Sequence, residues 1–496
     1  MKYDYVVIGA GISGISTAII LAKNDYKVAL VEKSKKTAPV LRGFMRKEVF
    51  FDTGFHYTGG LGNGEILETF FQYMGVADGL KKEPYNEQCF DLFRCLNPRF
   101  DFCFPCGYDR IREKFLATFP RDKDAVDKYL RSVKDVYYSF PYINLDADMD
   151  SAEAFESVHG PSLKEFLDRL TDNRLLKCVL SIHCLLHGVP PEETSFINHA
   201  CVVGPLYESA HGINGGGLSL VKAFDRQLEK LEVDVYCGRG VREILISSDR
   251  TLSGVRLEDG ETLDSIGCVS TLHPHRFLSL VPHSLFRPAY IKRLKRLEET
   301  SSAYVLYAVC NSTLKYLAGT NIFVSSGMDL TGFRKDTPVE ELPLFITSAG
   351  QSNERSEEHG FIVICPTSIT QTDCWSYSIT GKRPKDYALF KERITEKLLQ
   401  HIEISCPELA GEITHVESAT PLTLRDFANS PFGSLYGVKH QVGQYNPSPL
   451  TRVKGLFLAG QAISAPGILG SIVSGFLACG NIIGHNRLRK ELRKWR

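Results

Sequence analysis

The first 32 residues contain the feature that most restricts the fold. An apolar stretch at Tyr3–Ile8 runs directly into the glycine-rich turn Gly9–Gly14, and apolar residues at helical spacing follow it. A second apolar stretch then ends at the acidic residue Glu32. This order of strand, GxGxxG turn, helix, strand and acidic residue predicts a βαβ unit that binds a dinucleotide.

Each glycine of this turn has a separate physical role. Gly9 permits the tight turn, Gly11 lets the backbone approach a pyrophosphate, and Gly14 lets the helix pack on the strand. Ser13 lies in the same turn. The free amides and the positive dipole end of the helix then face the phosphates. Glu32 is expected to accept hydrogen bonds from the adenosine ribose hydroxyls.

Composition excludes several classes of protein. The 496 residues include 58 basic and 58 acidic side chains, so no net field attracts nucleic acid or an anionic surface. Hydrophobic residues at 43% and charged residues at 23% are typical of a folded globular chain. The N-terminus lacks the order of basic, apolar and small residues of a secretory signal, so we expect a cytoplasmic location.

The order of elements predicts how the chain is organised. A mostly helical block covers about residues 124–199, and short β-rich stretches begin near residue 301, as in an antiparallel sheet. An amphipathic helix is expected at about residues 385–404. The last segment returns to a buried strand, GLFLAGQ, followed by a glycine-rich helix.

This return predicts an α/β fold in which a Rossmann-like domain is built from both chain ends. An α+β domain, with a helical block and an antiparallel sheet, is inserted within it. The boundaries we expect are residues 1–85, 205–280 and 415–496 for the nucleotide domain. Residues 86–204 and 281–414 would then form the substrate domain.

Two other segments have structural interpretations. The 14 cysteines are scattered, and the CxxC pair Cys103 and Cys106 lacks a second pair, so we expect reduced thiols and no metal site. Residues 463–484 carry no charge, but their small and polar residues favour a buried core helix over a membrane span.

Two features favour FAD over NAD as the dinucleotide. The chain has one GxGxxG fingerprint, and the strand, turn and helix at its C-terminal end could hold a flavin ring. A helix N-terminus near residues 467–470 would stabilise the negative charge of a reduced flavin.

Four blocks together resemble the phytoene desaturase family of FAD-dependent oxidoreductases. They are VVIGAGISG with Glu32, FDTGFHYTGG at residues 51–60, GINGGGLSLVKAF at residues 212–224, and the C-terminal LFLAGQAISAPGILG. Their order spans nearly the whole chain. The resemblance is closer to the branch of all-trans-retinol saturase and carotenoid isomerase.

The resemblance implies an enzyme with non-covalent FAD that acts on carbon-carbon double bonds of a conjugated polyene or prenyl-type lipid. Saturation is slightly preferred, with desaturation or redox-neutral isomerisation as alternatives. Residues that the family would place at FAD are Gly9, Gly11, Ser13, Gly14, Glu32, Arg42, Val241, Gly460, Gln461, Ile468, Leu469 and Gly470. Around Arg42 the sequence departs from the Gly-Gly-Arg turn of many relatives, which puts the phosphate contact of Arg42 in doubt.

His56 and Tyr57 are the candidate catalytic residues. They follow FDTG, which the resemblance places against the flavin ring. Double-bond reduction needs a hydride on one carbon and a proton on the next, and histidine suits proton delivery near neutral pH. An aromatic pair that only packs under the ring is the alternative.

The C-terminal NRLRKELRKWR contains six basic residues, with Leu488, Leu492 and Trp495 at helical spacing. This pattern predicts either peripheral membrane association or a charged, solvated helix end. A lipophilic substrate is the expected partner, and the electron donor is not indicated. Two other readings stay open, a flavin-binding lipid carrier without turnover and an amine oxidase-like enzyme.

Overall fold

The computed structural model describes residues 2–147, 160–311, 314–330, 337–350, 358–411 and 413–496. Residues 148–159, inside the predicted helical block, lie outside this description. Within the described residues the strands, in chain order, are β1 (Tyr3–Ile8), β2 (Val28–Glu32), β3 (Phe44–Arg46), β4 (Val49–Phe51), β5 (Lys82–Pro84), β6 (Asp91–Leu96), β7 (Arg99–Phe104), β8 (His211–Ile213), β9 (Asp234–Cys237), β10 (Val241–Ile246), β11 (Leu252–Leu257), β12 (Thr262–Ser270), β13 (Ser302–Cys310), β14 (Asn321–Ser325), β15 (Leu344–Ser348), β16 (His359–Thr367), β17 (Ile413–Ala419) and β18 (Leu456–Leu458).

The α-helices of the same residues connect and cover these strands. In chain order they are α1 (Ile12–Ala22), α2 (Ile66–Met74), α3 (Tyr108–Thr118), α4 (Lys123–Ser139), α5 (Leu163–Asp168), α6 (Arg174–Ser181), α7 (Phe196–Glu208), α8 (Gly216–Lys230), α9 (Pro274–Leu280), α10 (Pro288–Lys295), α11 (Lys385–Ser405), α12 (Pro407–Ala410), α13 (Pro421–Phe427), α14 (Gly467–Ile483) and α15 (His485–Leu492). The predicted helix at residues 385–404 is confirmed as α11.

The first sheet joins the two ends of the chain. Its order is β10-β11-β12-β1-β2-β9, with β18 also paired to β12. β1 runs parallel to β2 and to β12, and β18 runs parallel to β12 on its other side. The predicted βαβ unit is therefore confirmed, and the C-terminal strand lies two positions from the N-terminal one.

Helices α1 and α14 pack closely because small residues face each other. The hydroxyl of Ser13 donates to the carbonyl of Ser471 at 2.8 Å. A side chain at Gly475 would begin 3.0 Å from the hydroxyl of Thr17. The uncharged C-terminal segment is thus a core helix, with Ile472 and Phe476 fully buried. No helix among the described residues combines the length and apolar character that a membrane crossing requires.

The second sheet has the order β17-β13-β16-β15-β14-β6-β7. All of its neighbouring pairs are antiparallel except β14 with β6, which are parallel. Phenylalanines of β6 and β7 pack against the helical block α3–α7, and α11 packs on the sheet through Ile394, Leu398 and Ile402. This is the predicted α/β fold with an inserted α+β part. β17 crosses the predicted boundary at residue 415, and the division into domains stays a prediction.

The prediction that all cysteines are reduced is wrong at one pair. Cys89 and Cys103 form a disulfide with 4.8 Å between their Cα atoms. The hairpin of β6 and β7 pairs Asp91 with Phe104, which brings the two cysteines together. The other twelve cysteines form no disulfide, and Cys106 is one of them. Cys103 belongs to a CxxC motif with Cys106, but its disulfide partner is Cys89, which lies on the other side of the hairpin.

The C-terminal helix packs on the protein through its apolar residues. Leu488 and Leu492 of α15 are fully buried in the first core. Arg489 is also buried and donates to the carbonyl of Leu145 at 2.7 Å. In this C-terminal segment, Trp495 is the large apolar side chain that is exposed. An interfacial helix would need these leucines at its surface, so Trp495 and the exposed basic residues remain for a membrane contact.

Candidate active site

The glycine-rich turn has the geometry that a pyrophosphate requires. Gly9 has a φ of +96°, and a side chain at Gly14 would begin 1.8 Å from the carbonyl oxygen of Gly9. A side chain at Gly11 would meet nothing within 4 Å, so open space lies in front of α1. No side chain caps the N-terminus of α1, and its first amides are free for an anion.

Glu32 lies at the end of β2, beside this turn. Its carboxylate accepts hydrogen bonds from the amides of Ala10 at 2.8 Å and Ser34 at 2.7 Å. The amide of Arg239 donates to the carbonyl of Glu32 at 3.1 Å, and Val241 begins β10 two residues later. The structure thus brings Glu32 and Val241 together at one edge of the turn, where the adenosine half of the cofactor is expected.

Two predicted contacts have other partners in the structure. The hydroxyl of Ser13 contacts α14, so its backbone amide is what remains for a phosphate. Arg42 donates to the carbonyl of Thr37 at 2.7 Å and pairs with Asp225 at 2.9 Å. The charge of Arg42 is therefore already neutralised by the protein. Arg42 therefore contacts the protein itself, in the segment where the sequence departs from the Gly-Gly-Arg turn of many relatives.

The C-terminal segment returns to the same region after β18. Gly460 has a φ of +111°, and its amide donates to the hydroxyl of Ser474 at 2.8 Å. The carbonyl of Gln461 accepts a hydrogen bond from His440 at 2.8 Å. Helix α14 then begins at Gly467, as predicted, with no side chain at its N-cap to satisfy its amides. Its N-terminus can therefore stabilise negative charge.

A cavity of about 650 Å³ opens beside the N-terminus of α14. Ile468, Leu469 and Gly470 line one wall, and the loop that contains His56 and Tyr57 lines another. Apolar and aromatic side chains make up most of the remaining lining, which includes Phe140, Tyr142, Leu186, Ile197, Val202, Leu206, Phe345, Tyr436 and Leu477. No aspartate or glutamate of the described residues lines this cavity. Its volume and chemistry suit a lipophilic ligand.

The two predicted catalytic residues differ in their surroundings. The partly exposed surface of His56 faces the cavity, and burial lowers its pKa to about 4. His56 is therefore neutral at physiological pH. Burial and the neighbouring Asp91 raise the pKa of Tyr57 well above its ordinary value. Its hydroxyl donates to Asp91 at 2.8 Å and keeps its proton.

Asp91 connects Tyr57 to a network that the sequence did not reveal. This carboxylate is fully buried and also bonds to His183 Nε2 at 3.0 Å and to the amide of Asn321 at 2.9 Å. The available signal for Asp91 was an acidic residue on the same face of the strand DLFRCL as Phe93 and Cys95, both of which are buried. His183 lies about 90 residues away, and only the tertiary fold brings it there.

Asp52, in the segment FDTG, fixes the cavity loop to the third predicted block. Its carboxylate accepts a hydrogen bond from the amide of Gly217 at 2.8 Å. Burial is the main cause that raises the pKa of Asp52 to about 7, against which that hydrogen bond acts. The short strand β8 precedes this glycine-rich turn.

The predicted site residues thus form two groups. Those near the nucleotide turn do not line the cavity, namely Gly9, Gly11, Ser13, Gly14, Glu32, Arg42 and Val241. His56, Tyr57 and residues 468–470 surround the cavity together. Gly460 and Gln461 lie between the groups, since Gln461 bonds to His440 of the cavity wall.

Several named relatives align with nearly the whole chain. The All-trans-retinol 13,14-reductase of Rattus norvegicus is 25% identical over 99% of this chain and 87% of its own. The zeta-carotene-forming phytoene desaturase of Myxococcus xanthus is 24% identical over 93% of this chain and 90% of its own. A protein named as an inactive all-trans-retinol 13,14-reductase, from Danio rerio, is 22% identical over 97% of this chain and 85% of its own.

Solved structures share the fold at low sequence identity. An oxidoreductase from Methanosarcina mazei superposes with a TM-score of 0.67 and 15% identity, over 95% of this chain and 98% of its own. Putrescine oxidase with bound putrescine gives a TM-score of 0.65 and 14% identity, over 97% and 99% of the two chains.

The model of the family described as flavin containing amine oxidoreductase matches residues 12–483. The residues present fit a flavin dinucleotide, since Gly11 leaves an open cradle at one uncapped helix N-terminus and α14 offers a second. The predicted cofactor, FAD, is confirmed. The chain belongs to the flavin-containing amine oxidoreductase family.

Proposed function

We propose that this protein is an FAD-dependent oxidoreductase that reduces a carbon-carbon double bond of a conjugated polyene or prenyl-type lipid. One observation carries the proposal, the apolar cavity of about 650 Å³ between His56, Tyr57 and the N-terminus of α14. The relatives named for retinol reduction and phytoene desaturation support the same substrate class.

The cavity chemistry favours a polyene over an amine. A cationic amine binds best beside a carboxylate or within an aromatic cage. The described lining contains no carboxylate to pair with a cationic amine, although it does contain aromatic rings, among them Tyr57, Phe345 and Tyr436. Arg293, the one lysine or arginine among these lining residues, would repel a cationic substrate. An amine oxidase reaction is therefore the weaker candidate.

Bound FAD in its reduced form supplies a hydride to one carbon of the double bond. Residues of the two chain ends hold the cofactor in this proposal. Gly9, Gly11, Ser13 and Gly14 present amides to the pyrophosphate, and Glu32 and Val241 lie beside the adenosine. Gly460, Gln461 and the first turn of α14 lie at the flavin, where the helix N-terminus favours negative charge.

The neighbouring carbon needs a proton, and we assign its delivery to Tyr57. Tyr57 lines the cavity and is protonated at physiological pH, as an ordinary tyrosine is, with its hydroxyl donating to Asp91. Asp91 and His183 orient the hydroxyl through hydrogen bonds of 2.8 Å and 3.0 Å. His56 is neutral, so we assign it a role in packing and in orienting the ligand rather than in proton delivery.

The direction of reaction is tested by anaerobic mixing. Reduced enzyme is mixed with retinol and a panel of carotenoids, and flavin reoxidation is followed together with product mass. Saturation reoxidises the flavin and adds two hydrogens, whereas an isomerase leaves mass and flavin state unchanged. A desaturase would instead reduce oxidised flavin. A flavin that stays reduced across the whole panel contradicts the proposal, and isomerised product of unchanged mass would then identify an isomerase.

Variants test the assignment of Tyr57. Tyr57→Phe removes the hydroxyl and should slow flavin reoxidation about 100-fold or more, the usual scale of general acid catalysis. Tyr85→Phe is the matched control, because its ring stacks on Tyr57 at 5.4 Å but does not line the cavity. Equal rates for wild type and Tyr57→Phe would exclude Tyr57 as the proton donor.

A flavin-binding lipid carrier without turnover is the second candidate function. It is motivated by the similar protein from Danio rerio that is named as an inactive all-trans-retinol 13,14-reductase. The same anaerobic experiment separates the two functions, since a carrier retains the polyene through gel filtration without changing it.

Cytoplasmic location and peripheral membrane contact stay proposals. The C-terminal segment offers exposed basic residues, including Arg487, Lys490 and Lys494. Co-sedimentation with vesicles that contain anionic lipid, compared with neutral vesicles, tests the contact. Replacing these three residues with serine should abolish binding if the basic residues carry it.

A further inference from the structure

Three potential ligand side chains meet behind the cavity wall. Cys184 lies in a short 3₁₀ helix, Ile182–Leu186, His187 follows that helix, and His199 lies in the first turns of α7. One ligand atom from each residue lies within 4.8 Å of the other two. The Sγ of Cys184 is 4.0 Å from Nδ1 of His199. All three side chains are at most 3% exposed.

The hydrogen bonds of the two histidines leave this cluster unsatisfied. Nε2 of His199 lies 3.0 Å from the hydroxyl of Tyr129, which leaves Nδ1 directed towards Cys184. Neither nitrogen of His187 has a hydrogen-bond partner in the described part of the chain. A buried imidazole without a partner is unfavourable and is rare in folded proteins. The nitrogen lone pair of His187 is therefore available to a ligand beside Cys184 and His199.

The donor atoms select the kind of ion. One thiolate and two imidazoles are ligands typical of Zn²⁺, whereas Ca²⁺ and Mg²⁺ need oxygen ligands that this cluster lacks. Zinc bonds of about 2.0–2.3 Å place tetrahedral ligands roughly 3.3–3.6 Å apart. The side chains would need to approach each other by about 1 Å to reach these separations. The contact of His199 with Tyr129 is the type of outer hydrogen bond that orients a metal-bound imidazole.

We propose that Cys184, His187 and His199 form a Zn²⁺ site with an open fourth position. The site joins two segments that both contribute to the cavity. Leu186 precedes His187, and Ile197 and Cys201 flank His199, and all three of these neighbours line the cavity. The ion fixes the start of α7 against the 3₁₀ helix and so maintains the shape of that wall. This site is independent of the polyene chemistry proposed above.

Metal content of the purified flavoprotein tests the site. The protein, free of any affinity tag, is treated with chelator, exposed to ZnCl₂, gel-filtered and measured by plasma mass spectrometry. We expect one zinc ion per wild-type chain, and no zinc above the chelated level in Cys184→Ser and His187→Gln. Cys365→Ser is the matched control, since Cys365 is equally buried in β16 and outside the cluster.

Two results would overturn the proposal. One is a wild-type protein that takes up no zinc, and the other is zinc retained in both cluster variants, which would place it at other thiols. The visible spectrum of bound FAD and the far-ultraviolet circular dichroism report whether each variant folds. If the variants do not fold, X-ray absorption at the zinc edge of the wild type decides. One sulfur and two imidazole nitrogens support the site, whereas a shell without sulfur refutes it.

Discussion

Asp52 makes the stability of the protein depend on pH near neutrality. Its pKa rises from 3.8 to about 7, mainly because the carboxyl group is buried. The folded protein therefore binds this proton more tightly than the unfolded chain does. The resulting stabilisation is complete below pH 4 and is lost as the pH rises through 7. Between pH 5 and pH 8 the loss is about 2.7 kcal/mol, at 1.36 kcal/mol for each of the two pH units below the folded pKa.

The substitution Asp52→Asn removes this titration while keeping an oxygen that can accept the hydrogen bond of Gly217. Urea unfolding of the FAD-saturated protein is measured at pH 5 and pH 8. From pH 5 to pH 8, we expect the unfolding free energy of wild type to fall by about 3 kcal/mol more than that of Asp52→Asn. Asp264→Asn, on an exposed position of β12, is the control and should follow wild type. The same pH dependence in wild type and Asp52→Asn would refute the reasoning.

Four further outcomes are expected. Gly14→Ala should destabilise the fold by about 3 kcal/mol, because the new methyl group collides with a carbonyl 1.8 Å away; thermal unfolding measures this loss. Gly11→Ala should leave the unfolding temperature of the apoprotein unchanged but lower the bound FAD measured by absorbance, since it fills only the open cradle. Ser474→Ala should cost about 1–3 kcal/mol of unfolding free energy in urea titrations, because it leaves the amide of Gly460 without its acceptor. Peptide mapping of unreduced protein should recover Cys89 linked to Cys103, with alkylation of the other cysteines.

The nucleotide end of the site could be predicted because its physics is local. Gly9, Gly11, Gly14 and Glu32 lie within one βαβ unit, and each acts through the backbone geometry of its own turn or strand. The helix at Gly467 was predictable for the same reason. Such features need no knowledge of the distant contacts, and a pattern of about 30 residues contains them.

The chemistry around Tyr57 could not be predicted in this way. Asp91 and His183 come from a strand and a 3₁₀ helix of the inserted part, and they meet Tyr57 only when the two sheets pack. The pKa values of Asp52 and His56 depend on burial, which no spacing reveals. The disulfide partner of Cys103 likewise depends on the register of a hairpin.

The amino-acid sequence by itself determined the dinucleotide turn, the strand and helix order, and the joining of both chain ends in one nucleotide-binding region. These properties follow from backbone conformation and apolar periodicity over short distances. Only the tertiary structure decided which groups face the cavity, which carboxyl holds a proton at neutral pH, and where three ligand atoms converge. Those properties depend on desolvation and on contacts between residues far apart in the chain, and both arise only on packing.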